Sequence, residues 1–122
     1  MATRTSQQVI GEHSETLARH HLEAQGMRLL HRNFRCKCGE TDLIMQHGGM
    51  IVFVEVRTRK HSRFGSAAES VNRPKQRKLI NAAHYFIQRH DPQLRYSYRF
   101  DVIAIQGEPG NNPDIQWISS AF

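Results

Sequence analysis

Two strand-like runs joined by a short glycine turn dominate the pattern of hydrophobic and polar positions along the chain. Residues 41–46 and 50–58 are rich in apolar and β-branched side chains, and the His-Gly-Gly segment at 47–49 separates them. This pattern predicts a β-hairpin, because glycine is favoured in the two-residue turns that connect antiparallel strands. The rest of the chain is organised around this hairpin.

Helical periodicity predicts one helix before the hairpin. Either Thr5 or Ser6 can cap this helix, which runs to about Gln25, where Gly26 supplies a C-terminal stop. Its apolar positions form a loose stripe, and its glutamates, Glu15 among them, read as solvated charges.

A second helix is predicted after the hairpin. It begins near Pro74, with Asn72 or Arg73 as its cap, and its apolar stripe is suited to packing against a sheet. Three further strands are predicted, at residues 27–35, 95–105 and 114–118. The order helix, three strands, helix, strand and short strand predicts a single α/β domain over residues 1–122, a sandwich with a mixed central sheet.

Length and charge narrow the classes of function. The 122 residues suffice for one domain with one modest core. With 17 basic and 11 acidic side chains, the formal charge of +6 favours a polyanionic partner, nucleic acid first and an acidic membrane surface second. No stretch approaches the roughly 20 apolar residues of a membrane span, and the first residues lack the apolar region of a secretory signal. We therefore expect a cytoplasmic protein without a membrane partner.

Two carboxylates and a guanidinium are predicted to meet on one face of the hairpin. A two-residue turn places Asp42 directly opposite Glu55. The same register places Glu40 opposite Arg57. Like charges so close together are unfavourable, and Glu55 interrupts an otherwise apolar run. A hard divalent cation between the carboxylates would remove the repulsion, and oxygen ligands suit Mg²⁺ or Mn²⁺.

Two other interpretations of this face stay open. Charge alternation is also typical of a solvated surface, in which case Glu55 and Arg57 face water on an edge strand beside Glu40. A three-residue loop would instead shift the register and move Asp42 to the other side of the sheet.

The segment GETDLIMQHGGMIVFVEVRTR, residues 39–59, resembles the PD-(D/E)xK nuclease motif, in which an Asp, a hairpin turn and a Glu-x-Lys sequence follow one another. More closely, the chain resembles the YraN-like family of small bacterial proteins, which are related to Holliday junction resolvases. This resemblance covers most of the chain. Besides the hairpin it rests on Gly11-Glu12, Arg32-Asn33-Phe34-Arg35, Phe64-Gly65 with Val71, Lys75-Gln76-Arg77 and Phe100-Asp101-Val102.

The resemblance implies a restriction-endonuclease-like three-layer sandwich, with a mixed central sheet flanked by helices. It further implies Mg²⁺- or Mn²⁺-dependent cleavage of DNA phosphodiester bonds, in branched or recombination intermediates, by a homodimer. The metal ligands it implies are Asp42, Glu55, the carbonyl of Val56 and a helix carboxylate, Glu12. It also carries over Gln76 as a residue of the catalytic site.

One position departs from the nuclease pattern. Arg57 stands where related nucleases carry a lysine that positions or activates the attacking water. An arginine can hold a phosphate or stabilise negative charge, but it stays protonated and does not act as a base. Two classes of function therefore remain: a metal-dependent DNA endonuclease, with Asp42, Glu55 and Arg57 in its catalytic site, or a non-catalytic DNA-binding module that retains a nuclease-like site.

Basic side chains follow the hairpin and open the second helix. The predicted nucleic-acid-binding residues are Arg59, Lys60, Arg63, Arg73, Lys75, Arg77 and Lys78. Cations at a helix N-terminus oppose the helix dipole, a penalty that a bound phosphate reverses. The alternative for each of them is an ordinary solvated surface charge.

The two cysteines, Cys36 and Cys38, are separated only by Lys37. A Cys-x-Cys pair alone does not complete a four-ligand zinc site. Alternation puts both thiols on the same side of an extended segment, and we expect them to be reduced in a cytosolic protein.

Overall fold

The computed structural model describes residues 5–59, 71–107 and 112–122. The elements, in chain order, are α1 (Ser6–Ala24), β1 (Arg28–Cys36), β2 (Gly39–His47), β3 (Met50–Arg59), α2 (Arg73–His90), β4 (Ser97–Gln106) and β5 (Asp114–Ile118). The predicted order of helices and strands is confirmed, with small shifts at their ends. None of the helices in these ranges is long and apolar enough to cross a membrane.

The described strands form one mixed sheet, in the order β1-β2-β3-β4-β5. Strands β3 and β4 are parallel, and the other neighbouring pairs are antiparallel. A parallel pair needs a crossover connection, and α2 lies between β3 and β4 in the chain. Because β3 is a central strand, the interpretation that placed Glu55 and Arg57 on an edge strand is wrong.

The two helices cover opposite faces of the sheet. Side chains that alternate along a strand point to opposite faces, and each set has its own buried cluster. The cluster under α1 includes Ala18, Leu22, Leu43, Met45, Val52 and Val54. The cluster under α2 includes Ile44, Phe53, Ala82, Ala83 and Phe86. The result is the predicted three-layer α/β sandwich, with core on both sides of the sheet.

The hairpin has the register that a two-residue turn dictates. His47 pairs with Met50, and the ladder continues to Leu43 opposite Val54. Gly48 has a φ of 59°, in the left-handed region that glycine adopts without a steric penalty. The alternative with a three-residue loop is therefore wrong.

Side-chain caps fix where both helices begin. The Thr5 hydroxyl accepts from the backbone N–H of Gln8 at 3.1 Å, and the Gln8 side chain accepts from the Thr5 N–H at 2.9 Å. Such a reciprocal capping box satisfies two otherwise unpaired donors. For α2, the Asn72 side chain accepts from the Lys75 N–H at 3.1 Å. Thr5 and Asn72 are thus the caps, and the start of α2 is fixed next to the end of the hairpin.

A buried carboxylate, Asp101, connects β4 to the C-terminal strand and turn. It accepts two hydrogen bonds from Arg99, at 2.8 and 2.9 Å, and one from the Trp117 ring N–H at 2.8 Å. The backbone N–H of Ser120 also donates to it at 2.9 Å. These four hydrogen bonds give Asp101 a structural role, with Arg99 as its charged partner.

Candidate functional site

The side chains of Asp42 and Glu55 meet where the hairpin ladder ends. Beyond the Leu43–Val54 pair, Oδ2 of Asp42 accepts a 2.8 Å hydrogen bond from the backbone N–H of Val56. The carboxyl groups of Asp42 and Glu55 are hydrogen-bonded to each other. The structure therefore brings together the two carboxylates that the hairpin register predicts.

Burial and mutual repulsion keep a proton on this pair. Burial is the largest cause that raises the pKa of Glu55, followed by the negative charge of Asp42 and their hydrogen bond; the result is about 8, despite Arg57 and Lys75. Burial also raises the pKa of Asp42, but the hydrogen bond from Val56 opposes that shift. The Val56 N–H favours the charged form of Asp42, and the pKa of Glu55 is about 8, so Glu55 is the member of the pair that holds the proton at neutral pH.

Three cationic side chains line a cavity of about 120 Å³ beside this pair. They are Arg57, Lys75 and Lys78, and the carboxylates of Glu40 and Glu55 complete the described lining. Nη1 of Arg57 lies 4.0 Å from Oε1 of Glu55, and both side chains are mostly buried, 28% and 16% exposed. Acidic and basic groups so arranged suit a metal ion on the carboxylates and an anion on the cations.

The start of α2 supplies two of these cations. Lys75 and Lys78 lie one helical turn apart, so that both reach the cavity. Arg73 and Arg77 are exposed and are not among its described lining residues. The predicted site residue Gln76 is also absent from that lining; its side-chain amide donates to the Val71 carbonyl at 3.0 Å.

Gly39 allows the turn between β1 and β2 to lie directly against α2. A Cβ atom at this position would be 1.9 Å from the carbonyl oxygen of Lys78. The side-chain amide of Asn81 also donates to the Cys38 carbonyl at 3.1 Å. These contacts hold the first turns of α2, and with them Lys78, against the end of the hairpin.

The α1 carboxylate whose pKa responds to the charge of Asp42 is Glu15. Glu12 is exposed and is not among the described residues that line the cavity. Glu15 is partly buried, and its burial and the charge of Asp42 raise its pKa, whereas a hydrogen bond with Asn33 lowers it. The expectation that Glu15 is a solvated charge is therefore wrong.

Part of the predicted nucleic-acid surface lies outside the described residues. This holds for Lys60 and Arg63, and for the side chain of Arg59. Their predicted contact with nucleic acid stays a prediction.

The carboxylates of Asp42 and Glu55 can bind a hard divalent cation only if water or substrate supplies its remaining ligands. Among the described residues, no three His, Cys, Asp or Glu side chains form a group that could hold a metal. Mg²⁺, however, is commonly bound by one or two carboxylates, with waters and phosphate oxygens as its other ligands. The touching carboxylates of Asp42 and Glu55 fit that pattern, since a divalent cation would replace the proton that they share. The carbonyl of Val56 is the further oxygen that the sequence predicted.

The chain is similar in sequence to the members of one protein family. Residues 14–105 match the uncharacterised protein family UPF0102. A UPF0102 protein of Pseudomonas syringae pv. syringae (strain B728a) is 49% identical over 119 residues, which cover 98% of this chain and 97% of the relative. A UPF0102 protein of Stutzerimonas stutzeri (strain A1501) is 49% identical over 92% of each chain. Similarity of this extent covers the helices, the hairpin and the carboxylate pair alike, and the chain belongs to the UPF0102 family.

Proposed function

We propose that the protein is a metal-dependent endodeoxyribonuclease, with branched or recombination DNA as its substrate. The observation that supports this most strongly is the hydrogen-bonded Asp42–Glu55 pair, part-buried beside three cations. Two part-buried carboxyl groups side by side are poorly suited to a purely structural role, because burial makes each costly to charge and ionisation of both would bring like charges together. A bound cation would offset this free-energy cost.

Asp42 and Glu55 would hold Mg²⁺ or Mn²⁺ once Glu55 had lost its proton, and the Val56 carbonyl would add a neutral oxygen. The bound ion supplies polarisation of a phosphodiester and a lowered pKa for a coordinated water. The Val56 N–H keeps Asp42 oriented toward Glu55 throughout. The chain's own contribution is thus to keep two oxygen donors fixed at one end of a cavity.

The cations of the cavity bind the DNA backbone. Lys75 and Lys78 neutralise phosphate charge at the first turns of α2, where the backbone N–H groups add to the attraction for anions. Arg57 presents a planar fork of donors that matches two phosphate oxygens. Because Arg57 stays protonated, it stabilises charge on the phosphate and does not take the proton of the attacking water.

The substrate class and assembly rest on the resemblance to junction resolvases. The same resemblance predicts that two copies act together, each cutting one strand of a four-way junction in the cytoplasm. The net charge of +6 is consistent with a nucleic-acid partner.

Cleavage of labelled single-stranded, duplex and four-way-junction DNA in Mg²⁺ and Mn²⁺ tests this proposal. We expect wild-type protein to cleave the junction, and Asp42→Asn and Glu55→Gln to lose cleavage while they keep the fold. Glu40→Gln is the matched control, because Glu40 lines the same cavity but is mostly exposed and pairs with Arg35. Equal cleavage by wild type and Glu55→Gln would exclude the proposed site.

A second candidate function is a DNA-binding module that does not cleave. Arg57 favours it, because this residue replaces the lysine of related nucleases. Salt-dependent binding to DNA without cleavage, on every substrate and in both metals, would select this function. Arg57→Lys then becomes the informative variant, since it restores the lysine of related nucleases at the same position. Gain of cleavage in Arg57→Lys would show that the rest of the site is competent.

A further inference from the structure

The turn between β1 and β2 holds two thiols side by side. Cys36 is the last residue of β1, and Cys38 is the turn residue that precedes β2. Their Sγ atoms are 3.0 Å apart, and the chain contains no other cysteine. Cys36 is partly buried and Cys38 is exposed, so that small molecules can reach the pair from solvent.

The thiols border the candidate active site. They line a cavity of about 220 Å³ together with Lys37, Gly39, Glu40 and Lys78. Two of these residues, Glu40 and Lys78, also line the cavity that contains Glu55. The two cavities are therefore neighbours, separated by side chains that both share.

The two thiols have different reactivity. Burial raises the pKa of Cys36, but hydrogen bonds from the Cys38 thiol and with the adjacent backbone lower it below its ordinary value. The hydrogen bond to Cys36 raises the pKa of Cys38, as do burial and the charge of the Cys36 thiolate. Because the thiolate is the nucleophilic form, we expect Cys36 to react first and Cys38 to follow.

We propose that Cys36 and Cys38 form a reversible redox couple, which peroxide converts from a dithiol into an intramolecular disulfide at the rim of the candidate active site. The pairing of the two thiols rests on the geometry of the turn, and only the order in which they react rests on their pKa values. The proposal stands whether or not the protein cleaves DNA.

The reaction with hydrogen peroxide proceeds in two steps. The Cys36 thiolate attacks one oxygen, the O–O bond breaks, and a sulfenic acid and hydroxide form. The Cys38 sulfur then attacks the Cys36 sulfur; an S–S bond forms, the S–O bond breaks, and hydroxide leaves with the Cys38 proton as water. The two sulfurs together lose two electrons, and the peroxide is reduced to two molecules of water.

The disulfide should be easily reduced. It closes a small ring through a single intervening residue, and it is exposed. Strained or exposed disulfides have higher reduction potentials than structural ones and are the labile, regulatory kind. Thiol reductants therefore return the pair to the dithiol, which makes it suited to reversible modification.

The turn is in direct contact with α2, so oxidation is transmitted to that helix. The amide of Asn81 donates to the Cys38 carbonyl, and the Cys38 thiol lies 3.7 Å from the Asn81 carbonyl. The backbone of Gly39 lies against that of Lys78. A disulfide that changes the turn changes these contacts, and we expect faster amide hydrogen exchange in residues 78–82 of the oxidised protein.

Oxidation of the full chain with an equimolar amount of hydrogen peroxide tests the proposal. We expect the monomer to lose both titratable thiols and the mass of two hydrogen atoms, and dithiothreitol to restore both. Cys36→Ser and Cys38→Ser keep a hydroxyl in place of the thiol, and neither can form the monomeric disulfide. We expect iodoacetamide to alkylate Cys36 in Cys38→Ser faster than Cys38 in Cys36→Ser.

Dimedone provides a further readout for the first step. It should trap a sulfenic acid on Cys36 in peroxide-treated Cys38→Ser protein. Circular dichroism shows whether both variants keep the fold, so that lost reactivity is not mistaken for unfolding. A treated wild-type monomer that retains two thiols, or that loses them only through bonds between chains, would overturn the proposal.

Discussion

The backbone N–H of Val56 donates to Oδ2 of Asp42 at 2.8 Å. This hydrogen bond makes Asp42 easier to ionise than the carboxyl group with which it is in contact. Glu55 is the other member of the pair, and its pKa is raised to about 8 by burial and by Asp42. A hydrogen bond to a carboxylate favours its charged form. At neutral pH the pair thus carries the charge of Asp42 and a proton on Glu55.

The free energy of unfolding should fall as the pH rises from about 4.5 to about 8. The unfolded chain releases the Glu55 proton near the ordinary pKa of 4.5, whereas the folded protein holds it until about 8. The stabilisation is therefore complete below the lower value and is lost as the pH passes the upper one, an effect on the order of a few kcal/mol. Urea unfolding in EDTA, at several pH values across this window, measures it.

Glu55→Gln should flatten that pH dependence, because glutamine does not titrate. Glu40→Gln should keep the wild-type slope, since Glu40 is mostly exposed. If wild type and Glu55→Gln lose stability equally over the window, then Glu55 does not hold the proton in the folded protein.

Mn²⁺ or Mg²⁺ should raise the melting temperature more at about pH 8 than at about pH 6, because a metal must displace the Glu55 proton before it binds the pair. Thermal unfolding with and without the metal measures this shift. Asp42→Asn should remove it, and Glu40→Gln should retain it. A shift that is the same at both pH values, or that survives Asp42→Asn, would place the metal elsewhere.

Lys75 and Lys78 should account for part of the salt dependence of DNA binding. Replacement of both by glutamine removes two phosphate contacts and should lower the slope of log affinity against log salt by about 2. The control is Arg89→Gln with Arg95→Gln, which removes the same charge at the far end of α2, where Arg89 lies in the last turn and Arg95 follows the helix. Fluorescence anisotropy with a labelled junction measures both slopes. Equal slopes for the two double variants would show that net charge, rather than the cavity, determines affinity.

The sequence was sufficient to predict the structural features that depend on local patterns of residues. Alternation and the Gly48-Gly49 turn fix the hairpin register, and with it the meeting of Asp42 and Glu55. The capping signals before Ser6 and Arg73 set the helix starts. In each case one stretch of chain contains all of the groups that decide the outcome.

Features that depend on how the elements pack were not predictable in the same way. The rotation of α1 on the sheet decides that Glu15 is partly buried and Glu12 is exposed. The helical wheel alone does not fix that rotation, because the apolar stripe of α1 is loose. Likewise, the Gln76 side chain turns back toward the chain before α2, where its amide donates to the Val71 carbonyl. Such contacts join segments whose relative position the sequence pattern leaves undetermined.

Gly39→Ala should destabilise the protein by about 1–3 kcal/mol or more, because the new methyl group would overlap a backbone atom of α2. The overlapped atom is the Lys78 carbonyl oxygen, at 1.9 Å, so no side-chain rotation relieves the clash. Gly49→Ala is the matched control, since nothing lies within 4 Å of a Cβ at that position. Urea unfolding of both variants measures the difference.

Gly39→Ala also tests whether the close contact between the β1–β2 turn and α2 positions the cavity. If α2 moves away to relieve the overlap, Lys78 leaves the cavity, and the variant should bind DNA more weakly even where it is folded. Gly49→Ala should bind as wild type does, because its turn lies at the opposite end of the hairpin from Asp42 and Glu55. A folded Gly39→Ala protein with wild-type stability and affinity would mean that the turn and the helix are not held together as the structure describes.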